Sequence, residues 1–160
     1  MIAGWDEHIK QFLFLADKHK VKMILVGGGA VYFHGYQRHS ADIDFWIDTN
    51  ETNLAQLVKV FQDLDYDINE FPNQVKNQEQ NISIKFTPSS LNLELITKFS
   101  VNRPFDDVFK DCELVEVIDE KVLRWRVMSF DDLITSKIKV GRPKDLLDIQ
   151  ELKRIRDKDL

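Results

Sequence analysis

The stretch from Met23 to Asp48 restricts the fold more than any other part of the chain. Met23-Ile24-Leu25-Val26 is a continuous apolar run of strand length, and Gly27, Gly28 and Gly29 follow it directly. Such a run, bounded by glycines, predicts a short strand buried on both faces. Ala30, Val31 and Phe33 then predict a helix ending near Gly35. From Ala41 to Asp48 the pattern changes to alternation. Ile43, Phe45 and Ile47 fall on one face, and Asp42, Asp44, Trp46 and Asp48 on the other. A buried strand, a glycine turn into a helix and a second, acid-bearing strand predict a sheet with helices packed on it.

The flanking segments agree. Trp5, Ile9, Phe12, Leu13 and Ala16 recur at helical spacing, predicting a first helix from about Trp5 to His19. Leu54, Leu57, Val58, Phe61 and Leu64 form the stripe of another helix, with Thr52 or Asn53 as its expected cap. Residues Asp67 to Asn81 are poor in apolar side chains and rich in Asn and Gln, which predicts a long loop, either a lid over a site or an exposed insertion. Strands are expected at Ile82–Phe86 and Leu91–Thr97 around Thr87-Pro88-Ser89-Ser90. A hairpin is expected from Glu113–Ile118 and Val122–Val127. Ser129 with Asp132 reads as a capping box for a helix from Phe130 to about Val140. Gly141 stops that helix, and Pro143 opens another to about Arg156. The expectation is a single domain over residues 1–160, of α/β (α+β) class, with a mixed β-sheet flanked by helices and a C-terminal helix pair.

Composition narrows the function. Hydrophobic residues make up 43% and charged residues 31%, which excludes a disordered tail. No apolar run approaches the roughly 18 residues that span a bilayer, and the start, MIAGWDEHIK, lacks the pattern of a signal peptide. The single cysteine, Cys112, cannot form an internal disulfide or a paired-cysteine metal site, and reads as a small buried thiol. A cytoplasmic location with no membrane partner is expected. The 22 basic and 27 acidic residues give −5, which argues against general DNA binding. That charge is divided: residues 1–120 hold 11 basic and 20 acidic side chains, and residues 121–160 hold 11 and 7. An acidic body with a basic end can attract a metal at one place and phosphates at another, or simply carry its charges on solvated helix faces.

The chemistry gathers in the same stretch. Asp42 and Asp44, two apart on a strand, point to one side and can share a hard cation such as Mg2+. By itself the pair is weak evidence, because alternating strands produce it by chance. Gly27-Gly28-Gly29 can bring backbone N–H groups close to a phosphate, or can be no more than a tight strand–helix turn. Its spacing fits neither the dinucleotide fingerprint nor the P-loop. Arg38, four residues before Asp42, can reach a phosphate or an acceptor. Ser40 can touch phosphate or close a local turn. His34 and Trp46 read as packing side chains. Lys137, on the penultimate helix, and Arg142 and Lys144, at the junction, suit a polyphosphate, unless Asp145 and Asp148 simply pair with Arg142 and Lys144.

In order, the segment reads LVGGGAVYFHGYQRHSADIDFW. It resembles the polymerase-β-like nucleotidyltransferase superfamily, in the bacterial branch with the motif GG-A-x-x-x-H-G-x-x-R-x-T/S-x-D-h-D, related to abortive-infection and toxin–antitoxin nucleotidyltransferases. Residues 130–152, FDDLITSKIKVGRPKDLLDIQEL, resemble that branch's closing pattern. The resemblance implies a nucleotidyltransferase fold in which the glycine turn (Gly27, Gly28), with Arg38, Ser40, Lys137, Arg142 and Lys144, holds the nucleotide. It also implies that Asp42 and Asp44 hold Mg2+ (or Mn2+), with a third carboxylate on a later strand. The matching segment is Leu93-Glu94-Leu95, so Glu94 takes that place, although Asp is usual there. The implied activity moves an NMP from an NTP to an acceptor hydroxyl on a small molecule, tRNA or protein, in a toxin–antitoxin or defence setting. Two alternatives stand beside it: a non-catalytic nucleotide-binding or antitoxin-type relative, and a sugar-nucleotide transferase with a DxD. The glycine turn upstream of the DxD and the short chain argue against the latter. A DxDx[TV] phosphatase is excluded by Phe45 and Trp46. The acceptor, the base and the oligomeric state are left open.

Overall fold

The structure, a computed structural model, describes residues 5–158, so the N-terminal segment on which the absence of a leader was read lies partly outside it. Its core is a six-stranded mixed sheet: β1 (Met23–Val26), β2 (Asp42–Ile47), β3 (Ile82–Ile84), β4 (Asn92–Ile96), β5 (Glu113–Ile118) and β6 (Val122–Val127), in the order β3-β4-β2-β1-β6-β5. β1 is antiparallel to β2 and parallel to β6, and β2 is parallel to β4. All four residues of β1 are buried, as a central strand covered on both faces requires.

Helices α1 (Glu7–Lys18), α2 (Gly27–Phe33) and α3 (Glu51–Asp63) complete the N-terminal half. Asp6 caps α1 by accepting the Ile9 N–H at 3.0 Å, and Ile9, Phe12, Leu13 and Ala16 are buried as the periodicity predicts. On β2, Ile43, Phe45 and Ile47 are buried, and so is Trp46 on the opposite face. Its ring packs against Phe99 and Phe105, with centroids 5.6 and 5.0 Å away, so it is a packing residue, as read.

The cap of α3 is Asn50, not Thr52 or Asn53: Asn50 Oδ1 accepts the Asn53 N–H at 2.7 Å. Asn53 has another task. Its buried amide accepts from Lys22 N–H and donates to the carbonyls of Lys22 and Asp48, tying the entry of β1 to the exit of β2.

Residues 67–81 are not the unanchored loop expected. They include a short helical turn, α4 (Asn73–Lys76), and bury Phe71 and Val75, with Phe71 edge-on to Phe61 at 5.9 Å. Gln78 donates to Thr49, and Asn81 accepts from the Thr97 N–H. Both anchors lie beyond the C-terminal ends of β2 and β4, whereas Asp42 stands at the first residue of β2. At about 3.3 Å per residue, the five residues from Asp44 to Thr49 put the Gln78 anchor roughly 16 Å along the strand from Asp44, while Asn81 leads directly into β3. No residue of the segment lines the cleft beside Asp42.

Helix α5 (Phe105–Lys110) has no counterpart in the sequence reading, since six residues with one buried position leave no periodicity to read. The β5–β6 hairpin and the C-terminal pair, α6 (Phe130–Val140) and α7 (Pro143–Lys158), match it. Ser129 accepts from the Asp132 N–H and Gly141 adopts φ 67°, as the cap and stop signals require. No helix of the described residues is long and apolar enough to cross a membrane.

Candidate active site

Strand pairing assembles the acids and the glycine turn. In the β1–β2 ladder Val26 stands opposite Asp44, so Gly27, the next residue, arrives beside the Asp44 carboxylate. Gly27 has φ +59°, and a Cβ placed on it would lie 2.7 Å from Asp44 Oδ2. Glycine is required here for both reasons. Gly28 is as tightly met from the other side: its Cβ would stand 2.5 Å from Ser40 Oγ and 3.6 Å from Arg38 Nη1. Ser40 also donates to the Asp42 carbonyl at 3.0 Å, a local turn bond that aims its oxygen at the glycines.

The parallel β2–β4 ladder sets Asp44 opposite Glu94, and β3 sets Ser83 opposite Glu94 in turn. Three strands therefore present Asp44, Glu94 and Ser83 in one row, with Asp42 two residues from Asp44. Ser83 Oγ donates to Glu94 Oε1. Among the described residues, no three His, Cys, Asp or Glu side chains stand close enough together to hold a metal ion by themselves.

Negative charge is nonetheless crowded. Burial, followed by the charges of Asp42 and Glu94, pushes the Asp44 carboxyl up to about 6, against the opposing pull of Lys137 and Lys144. A carboxylate raised by like charges is one that a cation relieves. The donor set is all oxygen, as hard divalent cations prefer, so these residues fit Mg2+ or Mn2+ in chemistry.

The basic residues are more committed than their sequence positions imply. Lys137 does not project freely: it is buried, with Nζ 3.2 Å from Asp145 and 2.9 Å from Asp148. Arg142 forks onto Asp145, donating from Nε at 2.6 Å and Nη2 at 3.1 Å. Arg38 forks onto Asp148, from Nε at 2.7 Å and Nη2 at 2.8 Å. Of the pairings weighed from sequence, Asp145–Arg142 forms. Asp148 pairs with Arg38 and Lys137 instead of Lys144, which is exposed. His34 is a packing residue, as read: it is hydrogen-bonded to the Met128 carbonyl at 2.7 Å and edge-on to Phe33 and Phe130.

A cleft of about 430 Å³ opens beside Gly28 and Asp42, walled by Arg38, Ser40, Trp5 and Tyr32. Three contributors here went unread in the sequence. Tyr32 reads only as part of a helix, Trp5 only as core, and Ser83 joins the row through strand pairing that no local pattern reveals.

Among the described residues, a mixed six-stranded sheet flanked by seven helices, with paired acids facing a glycine turn, defines an α+β nucleotidyltransferase-like protein. The family described as nucleotidyltransferase of unknown function (DUF6036) matches residues 2–160, and the chain belongs to it. Comparison with curated proteins finds no match.

Proposed function

We propose that this protein transfers a nucleotidyl group from an NTP to an acceptor hydroxyl on a small molecule, tRNA or protein. The observation that carries the reading is the Asp44 carboxylate, crowded by Asp42 and Glu94 and pressed against Gly27. Asp42, Asp44 and Glu94 would hold Mg2+ or Mn2+, which when bound supplies neutralisation of phosphate charge. Gly28 and Ser40 line the cleft, where Ser40 would turn its hydroxyl from the Asp42 carbonyl to a phosphate, and the Arg38 guanidinium stands next to them. Lys144, exposed and within Coulombic reach of Asp44, adds positive charge at the rim. Lys137 and Arg142 act on the nucleotide through their aspartate partners. In the reaction the acceptor oxygen bonds to the α-phosphorus as the bond to the β-phosphate oxygen breaks. Pyrophosphate leaves, and Glu94 or a bound water takes the acceptor's proton.

The test is a set of four α-labelled NTPs offered with Mg2+ to tRNA, hydroxylated small molecules and cell-extract protein. Label should pass to one acceptor class, vanish with chelator, and vanish in Asp42→Asn with Asp44→Asn. Transfer that survives the double substitution would sink the assignment. One observation favours a second reading, a nucleotide-binding relative without turnover: Glu94 is engaged by Ser83, and three carboxylates do not converge. Metal-dependent NTP binding with no acceptor labelled in any class would decide for it.

A further inference from the structure

We infer that Asp148 is a positioning residue: from α7 it fixes the Arg38 guanidinium so that one edge faces the glycine turn. The inference rests on the polyphosphate reading above and adds a residue to it. Arg38 lies in the irregular segment between α2 and β2, where no helix or strand holds it. Its location is set by the two-pronged bond to Asp148, a residue 110 positions away and 1% exposed at its side chain. That bond uses Nε and Nη2. Nη1 is left with a long contact of 3.3 Å to the His39 carbonyl, and it lies 3.6 Å from where a Gly28 Cβ would be. One N–H edge of a rigidly held, always-charged fork is thereby presented to the cleft beside Ser40.

Asp148 is itself held. Lys137 Nζ lies 2.9 Å from it and also contacts Asp145, which Arg142 grips in turn. The chain Arg142–Asp145–Lys137–Asp148–Arg38 alternates in sign across α6, α7, the junction between them and the loop before β2. Three cations face two carboxylates, so the network carries one positive charge in excess, and Arg38, 26% exposed at its side chain, is its member lining the cleft beside the glycines. An anion there completes the alternation. This also gives the buried lysine a role that does not require contact with a ligand.

The experiment uses the full chain and inorganic tripolyphosphate with Mg2+ as the probe, followed by calorimetry, with melting temperatures in parallel. Arg38→Ala and Asp148→Asn should each weaken binding about tenfold or more. The double variant should fall within twofold of Arg38→Ala, because residues acting as a unit are not additive. Asp148→Glu, which keeps the charge, should recover most of the affinity that Asp148→Asn loses, although both lower the melting temperature. Arg38→Lys cannot make a two-pronged bond and should bind as weakly as Arg38→Ala; this variant decides the matter if Asp148→Asn does not fold. Wild-type affinity in Asp148→Asn or in Arg38→Lys, or fully additive losses in the double variant, overturns the inference alone. No tripolyphosphate binding by the wild-type chain overturns the polyphosphate reading and this inference with it.

Discussion

Gly27 and Asp44 meet so closely that any side chain on the glycine would stand 2.7 Å from a carboxylate oxygen of the aspartate. The contact arises because β1 ends opposite Asp44 and the chain turns with φ +59° at the next residue. Gly27→Ala therefore meets two obstacles, a left-handed backbone and an occupied space. We expect a loss of about 1–3 kcal/mol of stability. Asp44 should also be displaced, weakening Mg2+-dependent NTP binding at least tenfold. Thermal melts and titration calorimetry check both. Unchanged nucleotide binding would separate the glycine turn from the site.

The crowding at Asp44 predicts a pH dependence. Its carboxyl titrates at about 6 in the fold, above its ordinary 3.8. The folded state therefore holds the proton more tightly. This contribution to stability is full below about 3.8 and is lost as pH rises through about 6. At 1.36 kcal/mol per pH unit the loss at pH 7 is at most about 3 kcal/mol. Asp44→Asn should accordingly raise the melting temperature at pH 7.5 and confer little or no gain at pH 4. Metal should act in the opposite sense, since only the ionised form binds it: Mg2+ affinity of the wild type should fall steadily below pH 6. A stability gain in Asp44→Asn that is independent of pH would contradict the crowding.

Asp145 shows the reverse. Burial works to raise its carboxyl, but hydrogen bonds from Arg142 and Lys137 outweigh this and hold it at about 2. Its stabilising contribution is present above 3.8 and is lost as pH falls through about 2. Asp145→Asn leaves Lys137 with one buried partner fewer, and removing one member of such a pair typically costs about 3–5 kcal/mol. The variant should melt well below the wild type at pH 7, with the difference shrinking in acid. Lys137→Ala should also destabilise the protein, because the lysine expected from sequence to meet a polyphosphate is buried against Asp145 and Asp148.

Cys112 offers a check independent of the site. Burial pushes its thiol up to about 12, and it donates to the Val108 carbonyl at 3.3 Å. The thiolate is the reactive form, so alkylation by iodoacetamide at pH 8 should be slow in the folded protein and rapid in denaturant. Equal rates in the two states would show the thiol to be open.

Much of the site was legible because it is local. The strand–glycine–helix turn, Arg38, Ser40 and the DxD fall within 18 residues, and alternation alone predicted which side of β2 carries the acids. What escaped depends on partners distant in sequence. Asp148 can equally serve Lys144, four residues before it, or Arg38, and only the docking of α7 decides between them. Glu94 was found through the resemblance, yet its bond to Ser83 follows from the β3–β4 register, which short apolar runs do not specify. Asn53 read as a cap because Asn favours that position, while its burial between two strand ends carries no local signal.

The segment 67–81 misled for a related reason, and it yields the last prediction. Its Asn and Gln content hides two anchors, Phe71 and Val75, which are 5% and 2% exposed. Phe71 packs on Phe61 of α3 and lines a shallow cavity with Thr49, beyond the C-terminal end of β2. Phe71→Ala removes a buried ring, which costs about 3–5 kcal/mol. In a chain of 160 residues that lowers the melting temperature by roughly 6–20 °C. Tripolyphosphate and NTP affinity, measured well below that transition, should stay within twofold of the wild type, since no residue of this segment lines the cleft beside Asp42. A tenfold loss of affinity in a folded Phe71→Ala variant would restore the segment to a functional role and show that it reaches the acids in another arrangement of the chain.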